Sequence, residues 1–394
     1  MAAGRYRSSN QIQCEGLTML IKRYLLWLAC LTAGLFLMSA LPETGCADDQ
    51  IKLGAVGVSS GELAPFGLSG LRGAQLAVEE INSKGGLLGR RIQLYVEDDT
   101  CKPAKATTKA AKMVAKNVIA VIGHTCSGAT LAALNIYSDA NIIVISPSAT
   151  NPTLTRSGNY PNFLRTIAPD DAQAKSQVDF ALEQLNSNKI AVIHDKGVYG
   201  KGLAEAVKGL VESSGTAEVV LYAGISPASV SYADIAMKIK LSKADTVIFG
   251  GYHPVAAQIV THIRKIKLKT AFISGDAIKD DSFIAGAGDY AEGVYATAPK
   301  DASKLPYSMA AIAAYRKAFR SEPGPFYLNA YAATLALANA VEKAGTTDSA
   351  AVLKMLKTES VRTPLGNIGF DHKGDPEGVG FSVYRVRNGV FIEQ

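Results

Sequence analysis

Side chains that transform substrates are scarce in this sequence. Its five histidines, His124, His194, His253, His262 and His372, are widely separated, and no pair has metal-ligand spacing on one helix. No G-x-S-x-G nucleophile elbow occurs, so a hydrolase lacks its central feature. Gly54, Gly57 and Gly61 follow the first apolar run, but they read G-x-x-G-x-x-x-G, which is not a dinucleotide fingerprint. Gly197, Gly200 and Gly202 lack the Lys-Ser/Thr ending of a phosphate loop. Both groups read as loop glycines, and neither a cofactor nor a metal is expected. Charged residues make up only 19% of the chain, with no basic stripe interleaved with aromatics, which excludes nucleic-acid binding.

A chain of 394 residues that is 48% apolar can bury two ordinary cores. Its amino end stands apart. Lys22 and Arg23 precede the apolar run Tyr24 to Leu41, followed by Pro42 and then Gly45-Cys46-Ala47. That order describes a secretory signal over residues 1–47, cleaved after Ala47, with Met19 as an alternative true start. A lipidated Cys46 fits less well, because Glu43-Thr44-Gly45 lacks an apolar position ahead of it. At 18 residues the run is at the margin for a membrane span, so an anchored sensor ectodomain is the competing reading. Removal of residues 1–47 leaves 37 basic against 33 acidic residues and only Cys101 and Cys126. In an exported chain these two either form one disulfide or remain buried thiols.

From Ile51 onward, short β-rich runs alternate with helical patterns, which implies parallel sheets with crossover helices. One doubly wound unit is expected from strand Ile51 to Val58 through helix 69–83, strand Arg91 to Glu97 and helix Pro103 to Lys116. A second begins after Ala168-Pro169-Asp170-Asp171, alternating helices and strands as far as Thr270 to Ser274. Three helices, about 306–320, 327–344 and 348–358, then pack back on the first unit, before late strands at Gly366 to Phe370 and Phe381 to Arg387. The expected lobes are 48–168 plus 297–364, and 169–296 plus 365–394.

Polar residues gather where strands end. Val121-Ile122-Gly123 empties into His124-Thr125-Cys126-Ser127-Gly128, a turn whose free N–H groups suit an anion at a helix start. Twenty residues on, Ile142 to Ile145 ends in Ser146-Pro147-Ser148-Ala149-Thr150, again at the carboxyl end of a strand, where open α/β sheets bind ligands. In the second unit the strand ends carry Tyr199, Tyr252 and Asp276. Ser127, Ser148 and Thr150 suit a carboxylate and Asp276 a cation. The ligand they imply is a zwitterion whose side chain lies against Tyr199, Tyr252 and Phe66.

Six ordered motifs carry a family resemblance: Asn82 to Gly86, Asp98 to Cys101, Gly123 to Ser127, Ser146 to Thr150, His194 to Lys196 with Tyr199-Gly200, and Gly250 to Pro254. Together they resemble the periplasmic leucine/isoleucine/valine-binding proteins of ABC transporters. The resemblance implies a type I periplasmic binding fold, two lobes joined by three crossovers, that closes on an amino acid. It assigns the ligand carboxylate to Ser127 and Thr150, and the ammonium to the backbone around Ser148 and Ala149, the Thr150 hydroxyl and Asp276. Asp276 stands where the family has a glutamate, and Phe66 where it often has tyrosine. Cys101 and Cys126 match the family's disulfide. The resemblance also implies a monomeric periplasmic carrier, not an enzyme, that serves an inner-membrane permease with its ATPase subunits. Another small ligand on the same fold, such as an aromatic amino acid, an amide or a short carboxylate, is the alternative that Phe66 and Asp276 would decide.

Overall fold

The computed structural model describes residues 50–228 and 231–394. The proposed signal segment and Cys14, Cys30 and Cys46 lie outside the described residues. Among the latter, no helix is long and apolar enough to cross a membrane.

Strands β1 (Ile51–Gly57), β2 (Ile92–Asp98), β3 (Ala120–Gly123), β4 (Ile143–Ser146) and β5 (Phe163–Arg165) form a parallel sheet in the order β2-β1-β3-β4-β5. Helices α1 (Ala64–Ser83), α2 (Pro103–Ala115) and α3 (Ser127–Asp139) are its crossovers. Period-two alternation sends Leu53, Ala55, Ile122, Ile143 and Ile145 to one face and Val56, Val121 and Val144 to the other. Both faces are covered, so each strand reads as a continuous apolar run.

The second lobe follows the same rules. Helices α4 (Asp170–Asp179), α5 (Val198–Ser214), α6 (Ala233–Ser242) and α7 (His253–Lys265) alternate with β6 (Lys189–His194), β7 (Glu218–Gly224), β8 (Thr246–Gly250) and β9 (Ala271–Ser274). β10 (Tyr295–Pro299) extends the sheet in parallel. After helices α8 (Pro306–Phe319), α9 (Tyr327–Ala344) and α10 (Ser349–Thr358) and the small ribbon of β11 (Val361–Thr363) and β12 (Gly366–Ile368), the chain returns as β13 (Phe381–Arg387) and β14 (Val390–Glu393). The order β14-β13-β10-β9-β8-β6-β7 makes a seven-stranded sheet with two antiparallel strands at one edge.

The expected α/β architecture of two doubly wound lobes is present, and the chain passes between them three times, near residues 166–169, 300–305 and 377–380. Helix α9 lies along α1, so the late helices belong to the first lobe. Two expected boundaries move. Residues 297–299 belong to the second lobe, because β10 pairs with β9 and β13. Residues 365–370 belong to the first, because Ile368 and Phe370 bury their side chains in its core. The alanine-rich run Tyr295–Pro299 and the exposed strand β14 are too short and too weakly patterned to announce themselves. Of the six expected loop glycines, Gly61 and Gly197 do lie in loops, but Gly54 and Gly57 are in β1, and Gly200 and Gly202 in α5.

Candidate ligand-binding site

The first strand-end turn is built as its sequence suggests. β3 ends at Gly123, where φ is 139° and a Cβ would meet the Val56 carbonyl oxygen at 2.0 Å, so only glycine fits. Cys126 is extended and bonded to Cys101, and Ser127 opens α3. No side chain caps that helix, which leaves its first N–H groups for another partner. The bond pairs the two cysteines of the described residues and excludes the free-thiol alternative.

The second turn is stitched onto the first. Ser146 Oγ donates to the His124 carbonyl at 2.7 Å and accepts from the Ala149 N–H at 2.9 Å. Ser148 Oγ donates to the Thr125 carbonyl at 2.7 Å. This corrects one expectation, since the Ser148 hydroxyl has given its proton to the protein and is no free donor to a carboxylate. Ala149 is fully buried, its carbonyl taken by Arg165 Nη1 at 3.1 Å. Ser127 Oγ accepts from the Asn151 N–H at 3.4 Å and keeps its own proton available. Thr150 is fully buried, and its hydroxyl faces Asp170 without reaching hydrogen-bonding geometry with any partner among the described residues.

From Thr150 the polar chain runs into the second lobe. The Asp170 N–H donates to the Thr150 carbonyl at 2.9 Å. Gln173 bridges two carboxylate residues: its Nε2 donates to Asp170 Oδ1 at 2.9 Å, and its Oε1 accepts from the Asp276 N–H at 2.7 Å. Tyr199 Oη donates to Asp276 Oδ1 at 2.8 Å. The Tyr199 and Tyr252 ring centroids are 5.3 Å apart, Tyr252 stands edge-on to Phe66 at 6.4 Å, and Phe66 to Phe326 at 4.8 Å. The site residues expected from the sequence thus come together around one interlobe cleft. The lobes meet at its rim, where Asn151 Nδ2 donates to the Val198 carbonyl at 2.8 Å. A Cβ at Gly202 would come within 2.4 Å of that same amide nitrogen.

Two carboxyl groups dominate the charge of this chain of contacts, and the guanidinium of Arg165 acts on one of them, Asp170, from the first lobe. Asp170 is fully buried and Asp276 nearly so, and among the described residues neither has an ion-pair partner. Burial, and next the nearby charge of Asp276, push Asp170 up to about 7. Burial pushes Asp276 up to about 6, against the stabilising bond from Tyr199. Tyr199 and Tyr252 are raised well above their ordinary value, by burial first and then by neighbouring carboxylates. Asp170 Oδ2 has no hydrogen-bond partner among the described residues. Two buried carboxyl groups that repel each other, one with an orphaned oxygen, favour a further cation when both are ionised.

Asp170, Gln173, Asn151 and Phe326 were not legible as site residues. Pro169-Asp170-Asp171 reads as an ordinary helix start with acids in the first turn. That the first of these two acids is buried instead of solvated is visible only in three dimensions. No group of three His, Cys, Asp or Glu residues suited to a metal occurs among the described residues.

Two lobes, a hinge of three crossovers and a cleft with polar ends and an aromatic wall define a closing trap for a small molecule. The chain belongs to the periplasmic binding protein family, whose model matches residues 50–389. It is 36% identical over 338 residues to a Pseudomonas aeruginosa protein named as binding leucine, isoleucine, valine, threonine and alanine, covering 86% of this chain and 90% of that one. Against the Leu/Ile/Val-binding protein of Escherichia coli the identity is 36% over 336 residues, 85% and 90% of the two chains. A branched-chain amino acid transporter substrate-binding protein from Streptococcus pneumoniae, solved with isoleucine, superposes with a TM-score of 0.76 at 26% identity, covering 88% of this chain and 100% of that one. A leucine-binding protein from Thermotoga maritima reaches 0.81 at 23% identity, covering 87% and 97%, which speaks for the fold.

Proposed function

We propose that this protein is an extracytoplasmic carrier that traps an aliphatic, branched-chain amino acid between its lobes and delivers it to an inner-membrane ABC permease. The observation that carries this reading is the polarity of the cleft. At one end lie an uncapped helix start and the hydroxyls of Ser127 and Thr150, which suit a carboxylate. At the other, Asp170 and Asp276 share a buried site in which neither has an ion-pair partner among the described residues and only the guanidinium of Arg165 acts on Asp170 from the first lobe, which suits an ammonium. A zwitterion supplies both charges at once. Between them Phe66, Phe326 and Tyr252 offer ring faces and no ionic partner, so the side chain is apolar. The names of the relatives at 36% identity supply the branched-chain class.

The relatives at 36% identity are named for the amino acids that they bind, and the ligand here is likewise carried and not transformed. Residues 1–47 then act as an export signal, the mature chain works in the periplasm as a monomer, and the transporter reads the closed form. One structural neighbour, a solute-binding protein from Rhodopseudomonas palustris, was solved with benzoate at a TM-score of 0.75 and 23% identity, covering 87% of this chain and 95% of that one. A ligand with no ammonium leaves Asp170 and Asp276 uncompensated, which favours the amino acid here.

The test is calorimetry on the mature protein with leucine and with 4-methylvalerate, which is leucine without its amino group. Leucine is expected to bind at least 100-fold more tightly, a difference of about 2.7 kcal/mol. Equal binding of the two, or none of either, sinks the assignment. A thermal-shift screen of the twenty amino acids ranks leucine, isoleucine and valine.

A further inference from the structure

Arg165 is the largest fully buried side chain among the described residues, and its guanidinium bonds to other groups of the protein. It ends β5, one residue before the first crossover. Its Nη1 donates to the carbonyls of Ala149 at 3.1 Å and Asn151 at 2.9 Å, the two residues that flank Thr150. Its Nη2 donates to Thr155 Oγ1 at 2.6 Å, and its Nε to Asp375 Oδ1 at 2.7 Å. Asp375 sits in the turn that leads into the third crossover, and the Arg165 N–H donates to the Gly374 carbonyl of that turn at 3.1 Å. Arg156 extends the chain: it pairs with Asp171 in the first turn of α4 in the second lobe, and its Nε lies 3.7 Å from Asp375 Oδ2.

A guanidinium is planar and directs its donors in fixed directions, so these contacts set the positions of several backbone segments relative to one another. Three of them matter: the Thr150 turn, the root of the first crossover and the root of the third. We infer that Arg165 is a positioning residue that couples the Thr150 turn to the hinge, so that ordering the turn and setting the crossovers are one event. The inference concerns how the proposed amino-acid site is tied to lobe motion, and it rests on the reading of this cleft as the ligand site. Nothing in the contact set requires Arg165 to touch the ligand.

The coupling is testable without a ligand. In the full mature protein, Asp375→Asn leaves the turn sequence untouched and removes only the distant anion. Hydrogen exchange should then accelerate at least tenfold in peptides covering 146–156, while β1, β3 and the strands of the second lobe keep their rates. Arg165→Lys, which keeps the charge but loses the fork, is expected to do the same and serves if Asp375→Asn does not fold. Leucine affinity should fall at least tenfold in either variant, and the radius of gyration at saturating leucine should shrink less than in the wild type. A merely structural pair would raise exchange everywhere, or lower the melting temperature with local rates and closure unchanged, and either result overturns the coupling. If the wild type binds no amino acid, the functional reading fails while the exchange data still decide the coupling.

Discussion

The two walls of the cleft are built on opposite plans. On the first lobe, Ser146, Ser148 and the carbonyls of His124, Thr125, Ala149 and Asn151 bond to one another or to Arg165, leaving a neutral, fixed surface with a few free N–H and O–H groups. On the second, Asp170 and Asp276 are buried beside each other, and Asp170 carries an oxygen with no partner among the described residues. One wall is complete before the ligand arrives. The other is completed by the ligand, so the protein without it bears an electrostatic cost that an ammonium offsets.

The largest effect should come from neutralising the second wall. Asp170→Asn with Asp276→Asn is expected to weaken leucine binding about 100-fold or more, since hydrogen bonds to charged groups contribute roughly 1.5–3 kcal/mol each. The ligand-free melting temperature should rise, because two buried carboxyl groups that repel each other and whose desolvation Arg165 offsets only in part are gone. Asp276→Ala alone should cost more than about tenfold, or 1.4 kcal/mol. Calorimetry and thermal unfolding of the same samples check both signs. A fall in affinity together with a fall in ligand-free stability would show that the walls do not differ as described.

Protonation breaks the same comparison reversibly. Both carboxyl groups titrate higher in the folded protein than in the unfolded chain, so the stability they contribute without ligand is present at low pH and is lost as pH rises from about 4 towards 7. Leucine binding has the opposite slope, because the ammonium needs the charged forms: affinity should drop at least tenfold from pH 8 to pH 5, and binding near pH 6.5 should release protons. His253, buried next to Tyr252 with its pKa lowered mainly by burial, adds acid sensitivity of the same sign to the closed form. Calorimetry in buffers of different ionisation enthalpy measures the released protons, and the Asn double variant should lose most of the release.

On the first wall, Thr150→Ala should weaken binding about tenfold, or 1.4 kcal/mol, through loss of one hydroxyl bond to the ligand. Ligand-free stability should change little, since that hydroxyl has no partner to lose among the described residues.

This contrast also decides what was legible in the sequence. The first wall is local: a strand, a glycine that only glycine can replace, a disulfide cysteine and a serine lie within the single run Val121 to Gly128, and turn chemistry can be read there residue by residue. The second wall is assembled from positions far apart. Asp170 meets Asp276 only because the chain has crossed the hinge and wound through four further strands of the second lobe. Phe326 faces Phe66 from a left-handed conformation (φ 59°) that a large side chain seldom adopts and that no periodicity announces. Arg165 is the extreme case, since an arginine in a short strand is ordinarily expected at the surface, and its burial depends on Asp375, 210 residues away.

The disulfide tests how far the first wall relies on being fixed. Cys101 and Cys126 are 25 positions apart, and on the chain-entropy estimate the bridge stabilises by about 3.5 kcal/mol. Cys101→Ser with Cys126→Ser should therefore lower the melting temperature clearly, while leucine affinity falls only about fivefold. The turn is still held by Ser146 and Ser148.

Closing the trap should produce a change in affinity as small as that of the disulfide. The Asn151 amide to Val198 carbonyl bond joins the rims of the two lobes, and the small residue at Gly202 is what lets them approach. Asn151→Ala removes one neutral hydrogen bond that forms only when the lobes meet, worth about 0.5–1.5 kcal/mol, so leucine affinity should fall some three- to tenfold. Because the bond exists only in the closed form, the loss should fall on the dissociation rate and leave association nearly unchanged. Stopped-flow fluorescence separates the two rates. An effect confined to association would mean that the rim contact guides the ligand in and does not hold the lobes shut.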